Sequence, residues 1–140
     1  MTYRITKEHV WVGAIPDRAD ALAEKLRALR DGGLNLELIL ARRTGAGHGL
    51  LFVAPLRTLE EITAVETAGL VRSATMKTIR IEGPNVAGLG AKITTALAEA
   101  GLNIREYAAA ALGDRCVTNI AFDNDAEGDR ARELLLKVLA

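Results

Sequence analysis

The segment Gly83-Pro84-Asn85-Val86-Ala87-Gly88 separates two runs of different period. Before it, Thr78-Ile79-Arg80-Ile81-Glu82 alternates as a strand does. After it, Leu89, Ile93 and Leu97 fall on one helical face. A strand that stops beside a helix start exposes backbone N–H groups without intrahelical partners, and the helix dipole there favours an anion. Gly88 lets a ligand reach the main chain with no Cβ in the way. Asn85 carries both an acceptor and donors, which suits an α-amino acid bearing both charges. The bland alternative is an ordinary turn, in which glycine and asparagine are common.

Other residues with chemical capacity lack partners at a useful spacing. Gly45-Ala46-Gly47-His48-Gly49 has the glycine content of a phosphate loop. It lacks the Lys-Ser/Thr pair and leads into a strand, so it reads as a hairpin tip. Arg42 and Arg43 beside it could bind an anion, yet paired arginines at a strand end are expected to be solvated. His9 and His48 could act as general bases, yet no nucleophile or orienting carboxylate stands near either in sequence. Cys116 is the only cysteine, so no internal disulfide or structural zinc site can be built on it. It reads as a small buried side chain, and Trp11 as a packing residue. No metal or cofactor is expected.

Composition narrows the partners. The 140 residues carry 18 basic and 18 acidic side chains, so the formal net charge is zero. No basic footprint draws the chain to nucleic acid. Aromatic residues are 4% of the chain, too few for base-stacking platforms. With 49% hydrophobic and 26% charged residues, the composition is that of a folded globular protein. No apolar run approaches the length of a membrane helix, and Met1 to Lys7 lacks the apolar core of a signal peptide. A cytoplasmic setting without membrane contact is expected.

The elements that must position the turn occur twice. Gly33-Leu34-Asn35-Leu36 recurs as Gly101-Leu102-Asn103-Ile104, and Pro16-Asp17-Arg18-Ala19 falls on Pro84-Asn85-Val86-Ala87 at the same offset of 68. In the first copy, the strand Val10–Ile15 precedes a helix carrying Leu22, Leu26 and Leu29, which stops at Gly32-Gly33. Extended runs 34–41 and 50–54 follow, then a helix opened by the capping box Thr58…Glu61, then a short strand 70–73. The second copy repeats this with strands 103–111 and 116–122 and a helix capped by Asn124. It has no residues left for a last strand. The order βαββαβ followed by βαββα predicts an α+β protein of two ferredoxin-like units in tandem, 1–74 and 75–140, with helices on one face of each antiparallel sheet. Tyr3-Arg4-Ile5, or a partner, could fill the missing place.

These motifs resemble those of tandem ACT-domain proteins, small regulatory modules of amino-acid metabolism. The resemblance rests on Gly83–Gly88, the helix beginning at Leu89, and Gly101-Leu102-Asn103-Ile104. Asn85 takes the amide position of the family's loop and Gly88 its glycine, while Ala87 replaces proline. In the first copy Asp17 keeps the acidic residue, but Asp20 stands where glycine is expected. The resemblance implies an amino acid bound at Asn85, Val86, Ala87, Gly88 and Leu89, completed by Asn103 and Ile104 of a neighbouring module. The first-copy loop at Asp17 is the weaker candidate, because the charge of Asp20 opposes a carboxylate. The implied function is non-catalytic regulation in response to an amino acid or similar metabolite, as a homodimer and acting on a separate metabolic enzyme. The alternative is a scaffold that docks onto such an enzyme and binds nothing small. Acylphosphatase chemistry would need Arg18 and Asn119 together, yet they fall in different copies.

Overall fold

Alternation, helical spacing and punctuating glycines divide the chain into ten elements. The computed structural model describes residues 2–140, with the side chains of residues 74–76 outside that description. The order is β1 (Arg4–Pro16), α1 (Ala21–Asp31), β2 (Leu38–Gly45), β3 (His48–Ala54), α2 (Leu59–Thr67), β4 (Val71–Pro84), α3 (Leu89–Glu99), β5 (Glu106–Leu112), β6 (Arg115–Phe122) and α4 (Asp125–Val138). Gly33 and Gly101 follow α1 and α3 at φ +82° and +72°. Thr58 accepts from the Glu61 amide at 3.1 Å, and the Glu61 carboxylate accepts from the Thr58 amide at 2.9 Å, closing the capping box.

The chain forms two compact units. His9–Ser73 makes one, here the first unit. Ala74–Ala140 makes the second together with the residues up to Glu8. The first unit has the strand order β2-β3-β1-β4. Strand β3 pairs antiparallel with both β1 and β2, placing Val12 opposite Phe52 and Ala41 opposite Leu51. Leu29, Leu51, Val53, Val65 and Leu70 form its core, with Trp11, Leu22 and Leu26 packed against them.

The second unit has the order β5-β6-β4-β1. Strand β6 pairs antiparallel with β4 and β5, so Ile79 faces Ile120 and Ile81 faces Thr118 across one pair. Ile79, Ile81, Ile120 and Phe122 point toward Ile93, Leu97, Ala131 and Leu135 of the two helices. The strand this unit was expected to lack is therefore present, supplied by the first residues of β1. Ile5 is 3% exposed within this core. Arg132 Nε donates to the Ile5 carbonyl at 2.9 Å, and Lys7 pairs with Asp129 at 3.0 Å. Both β1 and β4 are long because each continues beyond the single strand read from the sequence. The sequence reading assigns 1–74 to the first unit, whereas the described residues up to Glu8 group with the second.

Candidate functional site

Strand β4 ends at Pro84, and the chain turns through Asn85–Gly88 into α3. Gly88 is the N-cap at φ +83°, a left-handed conformation that suits glycine. No side chain caps this helix, so its first-turn amides take no side-chain partner. Leu89 N–H donates to the Val86 carbonyl at 3.1 Å and Lys92 N–H to the Gly88 carbonyl at 3.0 Å, fixing the turn. The Asn85 amide donates to the Asp114 carbonyl at 2.8 Å, tying the turn to the β5–β6 hairpin.

Tyr3 builds the adjoining wall. A Cβ on Gly83 would lie 2.4 Å from its ring, so the ring can rest on the strand only because residue 83 is glycine. The Tyr3 hydroxyl donates to the Pro84 carbonyl at 2.8 Å. Burial pushes the Tyr3 phenol above its ordinary value, with the Cys116 thiol adding to the effect, so the donor keeps its proton at neutral pH. The turn residues Val86, Ala87, Gly88 and Leu89 enclose with Tyr3 a cleft of about 140 Å³. Lys92, Leu139 and Ala140 complete it. Lys92 is the one ionisable side chain among these besides Tyr3, so the cleft offers an ammonium, uncapped amides and an apolar wall.

Four of the expected site residues, Val86 to Leu89, thus share one cleft. Asn85 is exposed at its edge. Asn103 and Ile104 stand beyond the other end of α3, an 11-residue helix about 16 Å long. Ile104 packs against the core and Asn103 is exposed. Sequence reasoning missed Tyr3 and Lys92. Lys92 stands four residues after Gly88, one helical turn on, which is a signal the sequence does carry.

The first-copy loop lies in the first unit beside its own cleft, of about 240 Å³. Asp17 lines it. Asp20 does not: its carboxylate pairs with Arg18, whose other amino group reaches Glu24 at 2.9 Å. The Arg18 hydrogen bond holds the Asp20 carboxyl below the usual carboxylate range. The Asp20 charge is thus partly offset by Arg18, which Glu24 also shares. His9 lies 2.7 Å from the Arg72 guanidinium, a cation where a general base would need a carboxylate. Arg18 and Asn119 belong to different units. Among the described residues, no three His, Cys, Asp or Glu side chains group as metal ligands, and no helix is long and apolar enough to cross a membrane.

No family model and no curated protein matches the chain. Solved structures do. A protein from Bacteroides thetaiotaomicron is 19% identical with a TM-score of 0.77, over 96% of this chain and 89% of that one. The ligand-free regulatory subunit of aspartate kinase from Thermus thermophilus is 19% identical with a TM-score of 0.67, over 99% and 97%. The same subunit from Thermus flavus is 20% identical with a TM-score of 0.63, over 100% and 98%. The chain therefore shares the fold of these structures, with two ferredoxin-like units in tandem.

Proposed function

We propose that the chain is a non-catalytic regulatory protein that binds an amino acid or similar small metabolite at the Val86–Leu89 cleft. The observation that carries this reading is the uncapped start of α3 at Gly88, with Lys92 and Tyr3 on the same cleft. A carboxylate placed there meets first-turn amides and an ammonium, while an apolar body rests on Tyr3 and Leu139. The fold is shared with regulatory subunits of aspartate kinase, which supports regulation over catalysis. Its target would then be an enzyme on another polypeptide. The test is a thermal-shift screen of all proteinogenic amino acids: a saturable rise in Tm with one or a few supports the reading, and uniform silence refutes it.

A scaffold remains the second reading, favoured by one observation. Strand β5 is an edge strand of alanines, with Leu112 at 88% exposure and no proline or lysine to guard its backbone. Such an edge suits pairing with a second copy, and a homodimer is part of both readings. Sedimentation at micromolar concentration tests it, and a lone monomer would exclude it.

A further inference from the structure

We propose that the second unit carries a further ligand site on the sheet face turned away from its helices, and that it takes a small zwitterion with an apolar body. Side chains alternate along a strand, so Ile79 and Ile81 meet the helices while Arg80 and Glu82 lie on the other face. A hollow of about 300 Å³ opens there, at the lower end of the range for small-molecule sites. Ala110, Leu112 and Val117 give it apolar walls, and Glu82 and Arg115 bring one charge of each sign. It shares no lining residue with the Val86–Leu89 cleft and stands whether or not that cleft binds a ligand.

The two charges are neighbours that do not meet. Glu82 stands opposite Val117 and Pro84 opposite Arg115, so Glu82 and Arg115 are diagonal neighbours with Cα atoms about 7–8 Å apart. Glu82 turns instead to Arg80, whose Nε donates to Oε1 at 2.8 Å with Nη2 2.7 Å from the same oxygen. That grip fixes the carboxylate, and among the described residues Oε2 accepts no hydrogen bond and Arg115 has no ionic partner. One step along the same face, Arg80 Nη1 and Asn119 Oδ1, from a facing pair, are buried without hydrogen-bond partners. The face thus holds polar capacity that the chain itself leaves unspent. Its charges sum to zero, Arg80 and Arg115 against Glu82 and Asp114, the last next to Arg115 in the hairpin turn. A simple anion or cation gains no net attraction there. A molecule with an ammonium for Glu82 and a carboxylate for Arg115 gains two charge-assisted bonds, while its hydrocarbon body rests on Ala110, Leu112 and Val117.

The experiment removes one charge of the ligand at a time. The full chain is titrated with L-leucine, with isopentylamine, which lacks the carboxylate, and with isocaproate, which lacks the ammonium, following backbone amide resonances. Expected with L-leucine are saturable shifts at Glu82 and along Ala110–Val117, and binding about tenfold or more tighter than with either half-molecule. Arg115→Gln, at an exposed residue without an ionic partner, should bring L-leucine down to the level of isopentylamine. Ala110→Leu, also at an exposed position, fills the hollow and should abolish the shifts while Tm without ligand stays unchanged. Shifts with L-leucine confined to Val86–Lys92 would overturn this site and leave the first cleft standing. Shifts here with none at Val86–Lys92 would do the reverse. Half-molecules that bind as tightly as L-leucine, or wild-type affinity in either variant, overturn the proposal.

Discussion

The amide of Asn85 donates to the carbonyl of Asp114, and at the matching place in the first unit the amide of Asp17 donates to Gly47. In both units the turn after the first strand is thus bonded to the tip of the unit's own hairpin. One hydrogen bond repeated, with donors 68 residues apart and acceptors 67, makes each turn a fixed element. Function then depends on what each turn presents, and the two present different chemistry: uncapped amides with one lysine, against a paired aspartate among arginines.

Gly88→Val forces a β-branched residue into φ +83° and should cost about 1–3 kcal/mol of stability. Space is not the obstacle, since a Cβ there meets nothing within 4 Å. The added side chain still blocks approach to the first-turn amides. Ligand-induced stabilisation should vanish in the thermal-shift assay while the dimer persists in sedimentation. Wild-type ligand affinity in this variant would remove the cleft from consideration.

Asn85→Ala removes an exposed carboxamide and leaves its backbone bond to Asp114 in place. Ligand binding should weaken by about 1–3 kcal/mol, and Tm without ligand should barely move. Calorimetric titration reads the first and a melting curve the second.

Ile5→Ala truncates a side chain buried in the second unit's core. The expected loss is about 2–5 kcal/mol, measured by denaturant unfolding. Amide exchange should accelerate at Ile79 and Ile81 and stay slow at Leu51 and Val53, because Ile5 belongs to the second unit alone.

Thr58→Ala opens the capping box of α2 and should cost about 1 kcal/mol. Its partner gives a pH test. Hydrogen bonds from backbone amides, Arg57 foremost, hold the Glu61 carboxyl below its ordinary value of 4.5. A depressed folded value contributes stability that is present above 4.5 and is lost as pH falls through it. Glu61→Gln should therefore differ from wild type at neutral pH and approach it in acid, as followed by Tm against pH.

Much of this was legible because the signals are local. Thr58 and Glu61 sit three apart and bond as that spacing dictates, and Gly88 opens a helix where its flanking periods change. What escaped was carried by distance along the chain. Arg4-Ile5-Thr6-Lys7-Glu8 holds one apolar residue, and its strand character comes from partners that close over Ile5 much later in the chain. Tyr3 reaches the cleft through a strand whose place the sequence leaves open. Leu34 and Leu36 read as the start of a strand yet pack against the core before β2 begins at Leu38. Arg43 meets Asp17 across 26 residues, a pairing no motif announces.

The bond from Arg132 to Ile5 spans 127 residues, and it sets an order on folding during synthesis. The first unit, His9–Ser73, is contiguous and can close once its own residues have emerged. The second cannot. Its first strand segment precedes its pairing partner β4 in the chain, and the packing over Ile5 is complete only once α4 has been made. Newly made chains should therefore pass through a stage with one finished unit and an exposed β1 segment, the stage at which strand exchange between copies competes with correct closure.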